Sequence, residues 1–158
     1  KKTMREIRRA EERDIPEIAR LLYEVHDVHA TGRPDLFVKG ARKYTDEQLK
    51  ELLQDEKRPV FLSLEGEKTL GYIFCVLKEE TDPSHVPMKT LYVDDLCVEK
   101  EARGQNVGRE LYEYACTYAK ALGCYNLTLN VWALNDGAQH FYEKMGMKVQ
   151  KIGMEIVF

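Results

Sequence analysis

Residues 90–122 constrain this chain more than any other stretch. A strand-like run at 90–98 feeds the turn Glu99-Lys100-Glu101-Ala102-Arg103-Gly104-Gln105-Asn106, which opens a long helix. From about 107 to 122, Val107, Leu111, Ala115, Tyr118 and Leu122 recur at helical spacing, and Gly123 follows as the C′ residue. A strand running through a glycine-bearing turn into a helix is the unit of a sheet flanked by helices. It is also an anion site in principle, because the first N–H groups of a helix lack partners and its dipole favours negative charge there. Gly104 and Gly108 let backbone approach a phosphate without a Cβ in the way, and Arg103 and Arg109 add positive charge. Taken alone the signal is weak, since many strand-to-helix turns contain glycine. The turn has no Gly-Lys-Ser/Thr ending, so it is not a P-loop, and its glycine spacing and late position exclude the Rossmann fingerprint.

The remaining elements follow from spacing and punctuation. A strand is expected at 5–10. Asp14 is expected to N-cap a helix with Pro16 in its first turn and Ile15, Ile18, Leu22 and Val25 on one face. Residues 29–43 contain Gly32, Pro34 and Gly40 and read as a loop or broken helix. Thr45 with Gln48 resembles a capping box ahead of Leu49, Leu52 and Leu53. Strands at 60–64 and 70–77 flank a hairpin turn. A buried strand at 126–132, a short helix from Asn135 closed by Gly146, and last strand material at 148–158 complete the order β-α-α-β-β-β-α-β-α-β.

The 158 residues suit one domain, expected over 4–158, with Lys1 to Thr3 read as a remnant ahead of a native start at Met4. No run approaches the roughly 20 apolar residues of a membrane helix. The net charge of -3 gives no basic footprint for nucleic acid. Cys75, Cys97, Cys116 and Cys124 form no CxxC pair and read as reduced thiols in a cytoplasmic protein. His26 and His29 stand three apart, but no third ligand is in view, so no metal is expected.

About thirty residues after the glycine turn comes a second segment, in which Asn135, Ala138, Phe141, Tyr142, Gly146 and Met147 stand at fixed spacing. The two segments together resemble the GNAT superfamily of N-acetyltransferases. Arg103, Asn106 and Gly108 match that family's Arg/Gln-x-x-Gly-x-Gly/Ala loop, and the second segment matches its Asn-x-x-Ala-x-x-Phe-Tyr-x-x-x-Gly-Phe run. The opening strand, the Asp14-Ile15 helix start and Leu70-Gly71-Tyr72 also match, so the resemblance covers nearly the whole chain from Met4. Two positions depart from it. Asn106 stands where the family has its central glycine, and Asn is the next most tolerant residue for left-handed backbone. Met147 replaces the usual Phe, a volume-tolerant swap.

The resemblance implies an α/β (α+β) GNAT fold: a mixed, mostly antiparallel sheet of about six to seven strands, splayed between the fourth and fifth, with about four helices. It implies acetyl-CoA as acyl donor, with its pantetheine arm along Leu96, Cys97 and Val98. The pyrophosphate would sit on the amides of Arg103, Gly104, Gln105, Asn106, Val107, Gly108 and Arg109, with further contacts from Asn135, Ala138 and Tyr142. The Leu96 N–H would face the developing oxyanion. The acceptor amine must lose a proton before it attacks, and Asp94 or Asp95 is the candidate base. Strand alternation puts these two on opposite faces, so only one is expected to face the site, with Asp95 favoured. Tyr142 matches the residue that protonates the departing thiolate. His29, Arg33 and Asp35 fall in the segment bordering the acceptor pocket, where a loop with local hydrogen bonds is an equal reading. Trp132 either walls the pocket or packs.

The leading expectation is an acetyltransferase for a primary amine of a small molecule. A protein or peptide N-terminal acetyltransferase shares the same donor apparatus, and a non-catalytic acyl-CoA-binding module is the alternative outside enzymes. Dimers are common in the family, so a homodimer is expected; no nucleic acid or membrane partner is.

Overall fold

The computed structural model describes residues 5–158; Met4 and the three residues before it lie outside the described residues. Five strands, β1 (Arg5–Arg9), β2 (Val60–Glu65), β3 (Lys68–Glu79), β4 (Lys89–Val98) and β5 (Asn126–Leu129), form one sheet in the order β1-β2-β3-β4-β5. Neighbours are antiparallel except β4 and β5, which are parallel. Four helices flank it: α1 (Ile15–Gly32), α2 (Asp46–Gln54), α3 (Val107–Ala121) and α4 (Asp136–Lys144). No helix among the described residues is long and apolar enough to cross a membrane.

The sheet has two apolar faces. Val60, Leu62, Leu64, Tyr72, Phe74 and Cys97 pack with Ile18, Leu21, Leu22, Leu49 and Leu52 of α1 and α2. Phe61, Ile73, Cys75, Leu91 and Val93 pack with Val107, Leu111, Ala115 and Ala119 of α3. Alternation along β2 and β3 sends successive side chains to these two cores. Gly71 serves the sheet itself, since a Cβ there would lie 2.7 Å from the Cys97 carbonyl oxygen.

β4 and β5 pair only from Thr90↔Asn126 to Val93↔Leu129. β5 ends at this last pair, so the edge of 94–98 on the β5 side has no strand partner among the described residues, at the place where the splay was expected. Thr45 caps α2 as anticipated, accepting from the Gln48 amide at 3.1 Å.

Four expectations need correction. Asp14 precedes α1 but makes no side-chain cap bond. Its carboxylate is taken instead by Arg8, at 2.8 and 2.9 Å, and by the Glu11 amide at 2.8 Å. α1 continues to Gly32, so His29 is helical rather than in the loop. β5 stops at Leu129, three residues early, and is half-buried rather than buried. The strand expected at 148–158 does not form, so the described residues hold five strands instead of six to seven. An apolar alternation states that a segment can pair, but a partner edge is needed to make a strand of it.

Candidate active site

The turn after β4 has the conformation its residues suggest. Gly104 (φ +83°) and Asn106 (φ 66°, ψ 16°) are both left-handed, and Asn106 is the one non-glycine residue at positive φ among those described. Asn106 immediately precedes α3, and its carbonyl accepts the first helical bond, from the Glu110 amide at 3.0 Å. The amides of Val107, Gly108 and Arg109 therefore stand before any intrahelical acceptor. The Arg103 amide donates to the Lys100 carbonyl at 3.5 Å, while its side chain makes no hydrogen bond or ion pair among the described residues, so the guanidinium is free for an anion. Arg109 pairs with Glu113 at 3.3 Å.

Gly108 has a different reason from the one expected. A Cβ there would meet Phe141 Cζ at 3.3 Å and Val98 Cγ2 at 3.4 Å. Its missing side chain admits Phe141 of α4 against the start of α3, and thus fixes the residue next to Tyr142.

Arg5, which the sequence reading passed over, secures the turn. Its guanidinium donates to the Gln105 carbonyl at 2.8 Å and grips both oxygens of Glu110 at 2.9 and 3.0 Å. Nothing in the local sequence announces a bond across a hundred positions.

The two aspartates overturn the alternation argument. Phe74 pairs with Asp95 and Cys75 with Val93, so Asp94 is the extra residue of a β-bulge. Before the bulge odd residues of β4 (Leu91, Val93) face α3; after it Cys97 faces α1 and α2 instead. Asp94 and Asp95 consequently share the α1–α2 face. Asp94 accepts from the Tyr44 hydroxyl at 2.7 Å and from Lys43 Nζ at 2.9 Å to each oxygen. Tyr44 lies stacked on Phe74, with ring centroids 5.7 Å apart. Asp95 accepts from the buried Tyr72 hydroxyl at 2.6 Å. Burial pushes the Asp95 carboxyl up to about 6, against the lowering effects of the Tyr72 hydroxyl and Lys43, while neighbouring Asp94 raises it further.

Tyr142 is half-buried on α4, where burial first and the charge of Asp95 second raise its phenol above the ordinary tyrosine value. It stays a proton donor at neutral pH, within electrostatic reach of Asp95. Asn135 caps α4, accepting from the Ala138 amide at 3.0 Å. The cap orients the helix that carries Tyr142.

A cleft of about 200 Å³ is lined by Leu96, Cys97 and Val98 of β4, Arg103 of the turn, Asn135, and Glu24, Val25, Val28 and His29 of α1; Asp94, Asp95 and Tyr142 are not among its lining residues. Five of the nine were expected at the donor site and His29 at the acceptor side. Burial, with His26 and Lys43 nearby, lowers the His29 pKa. Arg33 and Asp35 do not line the cleft and hold each other at 2.9 Å. Trp132 meets Phe37 edge-on at 5.4 Å, and Phe37 stacks on His29 at 5.3 Å, an aromatic row along the cleft's α1 side. A larger cleft, about 290 Å³, lies against α2 between Tyr44 and Arg58. It contains none of the turn residues, and only Tyr44 ties it to Asp94.

The family model described as "Acetyltransferase (GNAT) family" matches residues 22–147. Among solved structures, a mutant of the BH1408 protein from Bacillus halodurans is 33% identical and superposes with a TM-score of 0.92, covering 97% of this chain and 99% of that one. Two curated Arabidopsis thaliana proteins are also similar. "GCN5-related N-acetyltransferase 6, chloroplastic" is 29% identical over 73% of this chain and 36% of its own length. "Glucosamine 6-phosphate N-acetyltransferase" is 27% identical over 55% of this chain and 66% of its own length. The matched region thus spans just over a third of the first relative and just under two thirds of the second.

Proposed function

Because this chain belongs to the acetyltransferase (GNAT) family, we propose that it moves the acetyl group of acetyl-CoA to a primary amine of a small molecule, by direct attack in a ternary complex. The donor supplies an activated thioester, and the chain's residues supply position and protons. Free amides at the start of α3, left-handed Gly104 and Asn106, and the unpaired Arg103 suit a pyrophosphate. The open edge of β4 at Leu96, Cys97 and Val98 offers backbone groups to an extended arm.

The observation that carries the reading is the bulge at Asp94. It sets two carboxylates side by side on the face that borders α1 and α2, with Tyr142 in range of one of them. An alkylamine is overwhelmingly protonated at neutral pH and must lose that proton to attack. Asp95, with its pKa near 6, is ionised at neutral pH and accepts it more readily than an ordinary carboxylate. Tyr142 returns a proton to the departing thiolate. Retention of both groups supports an enzyme over a passive acyl-CoA binder. Relatives named for glucosamine 6-phosphate and for peptidyl-lysine represent both acceptor classes, so the acceptor panel decides between them.

The test is release of free thiol from acetyl-CoA against a panel of polyamines, aminoglycosides, amino sugars, amino acids and short peptides. Turnover with a small amine is expected; acetyl-CoA binding without turnover for any acceptor would point to the module instead. Tyr142→Phe should lower turnover roughly tenfold or more while acetyl-CoA affinity holds. Unchanged turnover at saturation removes Tyr142 from the proton path.

A further inference from the structure

One buried hydroxyl lies against the carboxylate read above as the base. Tyr72 of β3 is 0% exposed, and its ring sits in the core closed by α1 and α2, edge-on to Phe74 with centroids 4.8 Å apart. In the β3–β4 register Tyr72 stands opposite Cys97 and Phe74 opposite Asp95. The phenol therefore reaches the aspartate along a diagonal, a path open to an aromatic side chain. Its hydroxyl donates to Oδ2 of Asp95 at 2.6 Å. Phe74 is shared by two tyrosines, Tyr72 on Asp95 and Tyr44 on Asp94. The two bonds differ in setting. Tyr44 is half-buried and shares Asp94 with Lys43, whereas Tyr72 is sealed in. Asp95 itself is half-buried. Its other oxygen, Oδ1, makes no hydrogen bond among the described residues, yet it is not one of the fully buried polar atoms left without a partner. Oδ1 is thus the oxygen open to approach.

We propose that Tyr72 is a positioning residue for the acetyl transfer: its hydroxyl anchors Oδ2 of Asp95 so that Oδ1 is presented to the acceptor amine. This rests on the reading of Asp95 as the base. A phenol enclosed by close-packed side chains has no room to move, so the carboxylate it holds keeps one orientation. A donor bonded to the charged form also favours that form, and helps a buried carboxyl stay ionised at neutral pH. Tyr72 keeps its own proton, because burial first and the charge of Asp95 second hold its phenol well above the ordinary tyrosine value.

The other titratable groups around Asp95 are Asp94 and Cys97 on β4, Lys43 and Tyr44 ahead of α2, and Tyr142 on α4; on α1, Glu24 acts on Cys97. The Leu96 amide adds a smaller lowering effect. Among these side chains only Tyr72 is joined to Asp95 by a direct hydrogen bond.

Tyr72→Phe removes the hydroxyl and keeps the ring in its packing. The probe is the carboxyl carbon of Asp95, followed by NMR in protein carrying isotope-labelled aspartate and identified by its loss in Asp95→Asn. In the parent its titration should centre at about 6. In Tyr72→Phe it should centre about one unit higher, the worth of a hydrogen bond to a charged group. The rate should follow, measured as kcat/KM with acetyl-CoA and the panel amine of highest turnover. The deficit of Tyr72→Phe should be about fivefold larger at about pH 6 than at about pH 8. Lost packing alone would lower the rate equally at both. In the Asp95→Asn background Tyr72→Phe should change turnover no further, since it acts through Asp95. An Asp95 titration unmoved in Tyr72→Phe, or a deficit equal at both pH values, overturns the proposal and leaves Asp95 as the base. Full turnover in Asp95→Asn removes the base instead, and the role of Tyr72 in the reaction with it.

Discussion

β2 and β5 belong to one sheet but to different kinds of interior. β2 buries five of its six residues, and Leu62 and Val60 are 0% and 1% exposed. β5 leaves all four of its residues half-buried. The helices repeat the contrast: α1 sinks Ile18, Leu21 and Leu22 completely, while α4, equally two-faced in its sequence, sinks none. The β1–β4 half therefore holds the fold, and the β5–α4 half is set upon it. The proposed chemistry divides along the same line. The carboxylates sit on the dense half, where burial raises the pKa of Asp95, and Tyr142 sits on the more exposed half.

The strongest test of this division is Asp95→Asn. Loss of the base should cut turnover about 10²- to 10⁴-fold with acetyl-CoA affinity kept. In the parent protein the acid limb of kcat/KM should fall as pH drops through about 6, where Asp95 takes up its proton. Stability moves the other way. A carboxyl whose folded pKa is raised above 3.8 favours folding at low pH, and that contribution is lost as pH rises through about 6. Asp95→Asn should thus gain up to about 3 kcal/mol at pH 7, read from urea unfolding. A neutral-pH stability loss together with intact turnover would show that Asp95 serves structure alone.

Next in size is a matched pair of truncations. Leu62→Ala in β2 should cost about 3–4 kcal/mol, and Leu127→Ala in β5 about 1–2 kcal/mol, by chemical denaturation. Equal costs would break the comparison between the two halves. The smallest effect is expected for Arg5→Ala, which frees the Gln105 carbonyl and Glu110. It should weaken acetyl-CoA binding about three- to tenfold, at an expense of about 1 kcal/mol in stability. Calorimetric titration with the donor reads it; unchanged affinity would mean the turn holds its shape without the β1 anchor.

What the sequence made legible divides along similar lines. Signals carried by adjacent residues were readable: the Thr45–Gln48 box, the Asn135 cap, and the left-handed turn demanded at Asn106. These depend on backbone chemistry within a few positions. The bulge was not readable, because β3 and β4 slip by one residue without any glycine or proline to mark it. That slip moved Asp94 onto the face of Asp95 and invalidated the argument that only one could serve. Arg5 on Glu110 and Tyr44 on Asp94 were hidden for the same reason, being products of the assembled sheet rather than of local pattern. The 148–158 segment failed differently: it was expected to be strand, and no strand of the sheet pairs with it among the described residues.

One bond described above changes how acceptor choice must be measured. Both oxygens of Asp94 already hold a primary amino group, the Nζ of Lys43. An amine that comes to rest on Asp94 enters by exchange, and the affinity it displays is the difference between its own attachment and that of the resident lysine. Poor acceptors are then screened out by a competitor the protein carries with it, and emptying that seat with Lys43→Met should widen the range of amines accepted before it changes the rate for the best one.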